Sequence, residues 1–145
     1  MTDSLIVSCA QCGAGNRLPT DRLDHAPRCG RCKAPLFQGQ PLELTAANQR
    51  SLLGGDLPLL VDCWAPWCGP CRSFAPVFEQ AARDYEPRLR LAKLNTEQEP
   101  AMAAQWQIRS IPTLILFRQG VEQQRIAGAL QQQQLRQWLQ EAGIS

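Results

Sequence analysis

At 145 residues the chain is long enough for one domain with a buried core and a small appendage, but short for two full domains. Fifteen Lys and Arg against thirteen Asp and Glu leave a net charge of +2, too even a balance to make nucleic acid or an anionic membrane the main partner. Met1-Thr2-Asp3-Ser4 has no basic n-region and Leu5-Ile6-Val7 is too short for a signal h-region or a span, so a cytoplasmic protein without membrane attachment is expected.

Six of the seven cysteines fall in C-x-x-C pairs, and in a reducing compartment such pairs are metal ligands or redox groups rather than a disulfide framework. The first two pairs, Cys9-Ala10-Gln11-Cys12 and Cys29-Gly30-Arg31-Cys32, stand sixteen residues apart, within the spacing of four-thiolate zinc sites. Four thiolates close a tetrahedral shell, so this zinc is expected to be structural. Gly13 and Gly30 are expected to let the backbone turn and aim amides at the sulfurs. Leu5, Ile6, Val7, Leu18, Leu23, Leu36 and Phe37 are a small core for such a segment, and zinc would supply the missing free energy. The absence of helical periodicity after either pair argues against two further redox sites. His25, in the connector, reads as an exposed loop residue. Arg17, Arg22, Arg28, Arg31 and Lys33 make the segment basic, but it lacks aromatics for stacking bases, so a solvated surface is the better reading.

Gln38-Gly39-Gln40-Pro41 is turn-rich and divides the chain into a zinc ribbon over 1–38 and a larger unit over 39–145. Leu42-Glu43-Leu44 alternates like a short edge strand, and Thr45 is positioned to cap a helix over Ala46–Leu53 that Gly54-Gly55 would stop. Leu57–Trp64 reads as a buried strand broken only by Pro58 and Asp62. After it, Phe74, Val77, Phe78, Ala81 and Tyr85 recur at helical spacing over Arg72–Tyr85, with Pro76 set to bend the helix. Leu89–Asn95 is a strand, and Thr96–Glu99 opens a helix running to about Trp106. Ile111–Phe117 and Val121–Ala127 form a hairpin around Gln119-Gly120, and the glutamine-rich end carries a stripe of Leu135, Trp138, Leu139 and Ala142. Strands alternating with helices give an α/β architecture, a mixed central sheet with helices on both faces.

The third pair, Cys68-Gly69-Pro70-Cys71, lies where the apolar strand hands over to the long helix. Free amides and the helix dipole stabilise a thiolate there. Cys68, nearer the strand end, is expected to attack a substrate disulfide and Cys71 to resolve the mixed disulfide. Asp62 would have a raised pKa from desolvation; from strand context alone it serves either as a proton acceptor or as a partner for nearby backbone.

Trp67-Cys68-Gly69-Pro70-Cys71, preceded by Asp62 and Trp64 and followed some forty residues later by Ile111-Pro112-Thr113, resembles the thioredoxins over about residues 40 to 145. Thioredoxins are themselves a standing example of the lowered thiol pKa of this motif. The resemblance implies the thioredoxin fold and a thiol-disulfide reductase recharged by NADPH-dependent thioredoxin reductase, with a redox-active disulfide, disulfide-containing client proteins and no organic cofactor. It makes Asp62 the buried acid that takes a proton from Cys71, Lys93 its companion, and Pro112 a cis-proline that brings Ile111 beside the cysteines. Trp64, Trp67, Pro70 and Gly128 match positions around the substrate groove, and Gly69-Pro70 resembles the reducing members rather than the oxidising ones. With the ribbon in front, the chain is similar to the zinc-ribbon-bearing thioredoxins that many bacteria carry as a second form, and a monomer is expected. Cys63 departs from the family pattern; strand alternation turns it away from Asp62, favouring buried packing over peroxide sensing. Two rivals stand beside the reductase: a redox switch or chaperone in which oxidation expels zinc from the ribbon, and a binding module that uses the fold only as a scaffold.

Overall fold

The structure, a computed structural model, describes residues 3–145. Two sheets organise it. A hairpin of β1 (Ser4–Ser8) and β2 (Gly15–Pro19) pairs antiparallel, from Ser4 opposite Pro19 to Ser8 opposite Gly15. Neither strand stands out in the sequence, because the buried Val7 and Ser8 are consecutive and leave β1 without alternation, while Asn16 and Arg17 leave β2 without an apolar run.

The second sheet contains β3 (Leu42–Glu43), β4 (Leu59–Trp64), β5 (Arg90–Asn95), β6 (Thr113–Arg118) and β7 (Val121–Ala127), in spatial order β3-β5-β4-β6-β7. β3, β5 and β4 run parallel, while β6 opposes β4 and pairs with β7 in the expected hairpin. Central β4 is buried on both faces, which explains its near-continuous apolar run. Edge strand β7 is almost wholly exposed and correspondingly rich in Gln, Glu and Arg.

Alternation along β4 sends Leu60 and Asp62 to one face and Leu59, Val61 and Cys63 to the other. The first face is covered by α2 (Gly69–Tyr85) and α4 (Gln132–Glu141), through Phe74, Phe78, Ala82, Leu135 and Leu139. The second is covered by α1 (Gln49–Leu53) and α3 (Pro100–Gln105), through Leu52 and Met102.

Several boundaries differ from expectation. α1 begins at Gln49 because Asn48, not Thr45, forms its start: the Asn48 side chain accepts from the Thr45 amide at 2.8 Å and donates to the Glu43 carbonyl at 2.7 Å. α2 begins three residues earlier than the periodicity showed, since Gly69 and Pro70 carry no apolar stripe but fit a first helical turn. α3 starts at Pro100, the Asn95 carboxamide holding the preceding turn through the Glu97 and Gln98 amides. β6 begins at Thr113, after a cis Ile111–Pro112 bond, and a second cis bond joins Glu86 and Pro87.

The ribbon packs on the larger unit. Leu57 joins a small core with Val7, Cys9, Cys29 and Leu36. Asp56 and Ile6 exchange two hydrogen bonds, Asp56 N–H to the Ile6 carbonyl at 2.9 Å and Ile6 N–H to Asp56 Oδ2 at 2.7 Å. Arg90 Nη1 donates to the Ser8 carbonyl at 2.6 Å, and the Gly39 amide donates to Glu86 at 2.7 Å. Asp56 and Leu57 precede β4 and Arg90 opens β5, so these contacts lie at the N-terminal ends of the parallel strands.

Candidate functional site

At the opposite, C-terminal end of β4 the chain leaves the sheet at Trp64 and enters α2 through Cys68. Cys68 is the N-cap residue: its backbone is extended, at φ −84° and ψ 113°, and its Sγ accepts the Cys71 amide at 3.2 Å. Helix-opening amides have no partner within the helix, so a sulfur held here receives both a hydrogen bond and the positive end of the dipole. Cys68 and Cys71 are joined as a disulfide, with Cα atoms 5.2 Å apart. The expected difference in exposure is small in this oxidised form, 5% for Cys68 and 2% for Cys71. Around the pair, Trp67 is 68% exposed, and neither Gly69 nor Gly128 has any atom within 4 Å of where a Cβ would sit. An open, partly apolar surface therefore surrounds the sulfurs.

The loop before β6 closes the other side. The Ile111 carbonyl oxygen lies 3.9 Å from Cys68 Sγ. Thr113 Oγ1 donates to the Ser110 carbonyl at 2.6 Å and the Gly128 amide donates to the Pro112 carbonyl at 2.8 Å, holding the loop on both sides of Ile111. Among the described residues, Ile111 itself makes no backbone–backbone hydrogen bond, which leaves its amide and carbonyl for an incoming strand. Gly128 has φ +108°, a conformation side chains rarely adopt.

On the face of β4 that α2 covers, two residues before the strand ends, Asp62 is 1% exposed and neither carboxylate oxygen has a hydrogen-bond partner. Burial raises its pKa from 3.8 to about 7, against the opposing charge of Lys93. Lys93 is its register partner on β5, and the Lys93 ammonium sits 4.2 Å from the centre of the Trp64 ring. Trp64 is half-buried and outside the core clusters, and its ring face holds the lysine beside Asp62. Cys63 is fully buried on the other face, and burial pushes its thiol up to about 12, which suits a packing role.

The four ribbon cysteines meet, with their sulfurs within 4.8 Å of one another. Two matching turns bring them together. Gly13 N–H bonds the Cys9 carbonyl and Lys33 N–H the Cys29 carbonyl, both at 2.9 Å, while the Cys9 and Cys29 amides bond the Ala14 and Ala34 carbonyls. Gly13 and Lys33 both take positive φ, +78° and +68°. The Gln11 and Arg31 amides point at Cys9 and Cys29 sulfurs, each at 3.4 Å. Gly30 does not play the part expected of it: its amide bonds Asn16 Oδ1 at 2.9 Å, because the turn residue of the second knuckle is Lys33. Four converging sulfurs with amides directed at them fit a tetrahedral thiolate-bound ion. His25 is exposed and lies beside Asp24, outside this cluster. Arg90 and Asp56, which tie the ribbon down, were missed; isolated charges in sequence give no sign of burial.

A cysteine pair that caps a helix, after a strand holding a buried acid and beside an unpaired strand-like loop, is equipped for thiol-disulfide exchange. The protein is an oxidoreductase of that class. Residues 40–141 match the thioredoxin family and residues 8–34 match the domain described as "Thioredoxin 2, N-terminal", so the chain belongs to the thioredoxin family and carries a zinc-ribbon fold at its start. It is 44% identical over 136 residues to Thioredoxin C-3 of Corynebacterium nephridii, covering 93% of each chain. It is 45% identical over 92 residues to Thioredoxin 1 of Nostoc sp., covering 63% of this chain and 86% of the relative. A single-site mutant of a thioredoxin from Halobacterium salinarum NRC-1 superposes with a TM-score of 0.66 at 25% identity, over 72% of this chain and 92% of that one. As a thioredoxin, the protein is a protein-disulfide reductase. No helix among the described residues is long and apolar enough to cross a membrane.

Proposed function

We propose that the Cys68 thiolate attacks a client disulfide, forming a Cys68–client bond as one client sulfur leaves and takes a proton. Cys71 gives its proton to Asp62, and its thiolate then attacks Cys68 Sγ. The second client sulfur departs, and two electrons have passed from the Cys68–Cys71 dithiol to the client. Lys93 tunes Asp62 by its charge, and Trp67, Gly69, Pro70, Ile111, Pro112 and Gly128 form the surface on which an extended client lies. An NADPH-dependent thioredoxin reductase would restore the dithiol, and the exchange itself calls for no organic cofactor on the chain.

The observation that carries this reading is the hydrogen bond from the Cys71 amide to Cys68 Sγ at the start of α2, which favours a thiolate at residue 68. The test is to replace Cys71 with Ser and look for covalently retained clients. Mixed disulfides on Cys68, together with loss of insulin reduction, are expected. Unimpaired turnover in that variant would overturn the assignment.

In the same reading Cys9, Cys12, Cys29 and Cys32 of the ribbon, residues 1–38, hold a structural zinc, and residues 39–145 carry the chemistry in a cytoplasmic monomer. The ribbon's contacts lie roughly 20 Å from the dithiol, the length of six-residue β4. That separation favours a structural metal over direct exchange between ribbon and active-site sulfurs, and gives no support to zinc expulsion as the main activity. A scaffold without redox chemistry would not need the unpartnered buried acid Asp62.

A further inference from the structure

Arg90 is an unusual residue to find inside this protein. It opens β5, is only 3% exposed, and among the described residues no carboxylate comes within ion-pairing distance of it. Its fork spans the junction between the units. Nη1 donates to the Ser8 carbonyl at 2.6 Å, Nη2 donates to the Leu36 carbonyl at 3.3 Å, and the guanidinium lies 5.7 Å from the centre of the Phe37 ring. Nε has no partner. Two carbonyls and a ring do not balance a desolvated cation, and a buried charge without a counter-charge is strongly destabilising.

The missing negative charge is adjacent. Ser8 precedes Cys9, and Leu36 packs in one cluster with Cys9 and Cys29. A divalent ion bound by four thiolates keeps a net double negative charge, which the low-dielectric junction does not screen as water would. Glu86, the other anion near Arg90, also favours its charge, but it forms no ion pair with the guanidinium, accepts the Gly39 amide and is itself disfavoured as a charge by burial, so it supplies only part of the balance.

We infer that Arg90 is the buried counter-ion of the metal-loaded four-cysteine centre, so that metal loading and docking of the ribbon onto the larger sheet are one linked equilibrium. The inference rests on the reading that the cluster holds zinc. It makes Arg90 a positioning residue that touches no ligand sulfur and acts through charge and the two carbonyls it grips.

The test compares zinc affinity, by competition with a chromophoric chelator at fixed ionic strength, in the full-length wild type, Arg90→Lys and Arg90→Gln. Wild type must first bind one equivalent of zinc. If it does not, the zinc reading fails and this inference with it. Given one equivalent, Gln should weaken binding about ten- to hundred-fold, the range for outer partners of metal ligands, whereas Lys should stay close to wild type. Equal affinity in all three proteins, or an equal loss in Lys and Gln, overturns the counter-ion role while leaving the zinc reading intact. A wild-type measurement covers a Gln variant that does not fold. The Arg90 amide, bonded to the Pro58 carbonyl within the larger unit, should exchange faster once zinc is removed, and unchanged exchange there overturns the linkage.

Discussion

Asp62 and Lys93 are direct register partners on parallel strands β4 and β5, yet the lysine's ammonium lies over Trp64 and both Asp62 oxygens are left without a hydrogen bond. The carboxyl is therefore held near 7 by burial, with Lys93 restraining the shift. The folded value exceeds the unfolded one, so the native state holds the proton more tightly. The stability contributed by the neutral acid is complete below about pH 4 and is lost as pH rises through about 7. Asp62→Asn should stabilise the oxidised protein at pH 8 by on the order of 2–4 kcal/mol and flatten the dependence between pH 4 and 8. Urea denaturation across that range checks it, and an unchanged slope would refute the assignment of the shift to Asp62.

The same acid has a kinetic role in the proposed mechanism, which separates it from a merely buried residue. Removing a general base slows a proton-coupled step, here attack by Cys71 on the mixed disulfide, while the first attack by Cys68 needs no help from Asp62. Asp62→Asn should slow resolution at pH 7 by on the order of a hundredfold and leave formation of the mixed disulfide near the wild-type rate. Rapid-quench trapping of the Cys68–client species measures both steps. Unchanged resolution, or equal slowing of both steps, would refute a specific role for Asp62 in resolution.

Much of this was legible in the chain because the sheet is central and buried. β4 and β6 announce themselves as apolar runs, and the stripe through Phe74, Phe78 and Tyr85 marks α2. The start of α2 was hidden for the reason that makes it functional: Gly69 and Pro70 face an open surface and carry no packing signal, so only the cysteine spacing points to it. The spacing of Cys9, Cys12, Cys29 and Cys32 located the metal cluster, but it was silent on β1 and β2, since consecutive Val7 and Ser8 are both buried and no alternation marks the first strand. Long-range polar contacts were the least visible. Asp56 with Ile6 and Arg90 with Ser8 join residues 50 and 82 positions apart, and nothing local in the sequence marks either pair.

Two glycines beside the dithiol look alike in their openness but should respond oppositely. A Cβ at either meets nothing within 4 Å, so only backbone conformation differs. Gly69 opens α2, where alanine loses less conformational entropy than glycine, whereas Gly128 sits at φ +108°. Gly69→Ala should be neutral or stabilising by about 0.5 kcal/mol, and Gly128→Ala should cost about 1–3 kcal/mol. Denaturant midpoints of the two variants measure the contrast. A cost for Gly69→Ala equal to that of Gly128→Ala would show that sterics, not φ, governs this surface.

Cys32 offers the cleanest separation of the ribbon from the chemistry. It is the exposed member of the four-sulfur cluster, so Cys32→Ser removes little packing, and any loss of stability reports the ligand's role in the metal site. A structural metal contributes its binding free energy to folding, and for a chain of this size each kcal/mol lost lowers Tm by roughly 3 °C or more. The variant should therefore hold less zinc and melt several degrees lower. Its insulin reduction rate, measured well below the new Tm, should stay within about twofold of wild type, because β4 sets the ribbon contacts roughly 20 Å from Cys68. A Tm and zinc content matching wild type would remove Cys32 from the ligand set. A reduction rate that fell in proportion to zinc content would instead tie the metal to catalysis, against the structural role assigned to it.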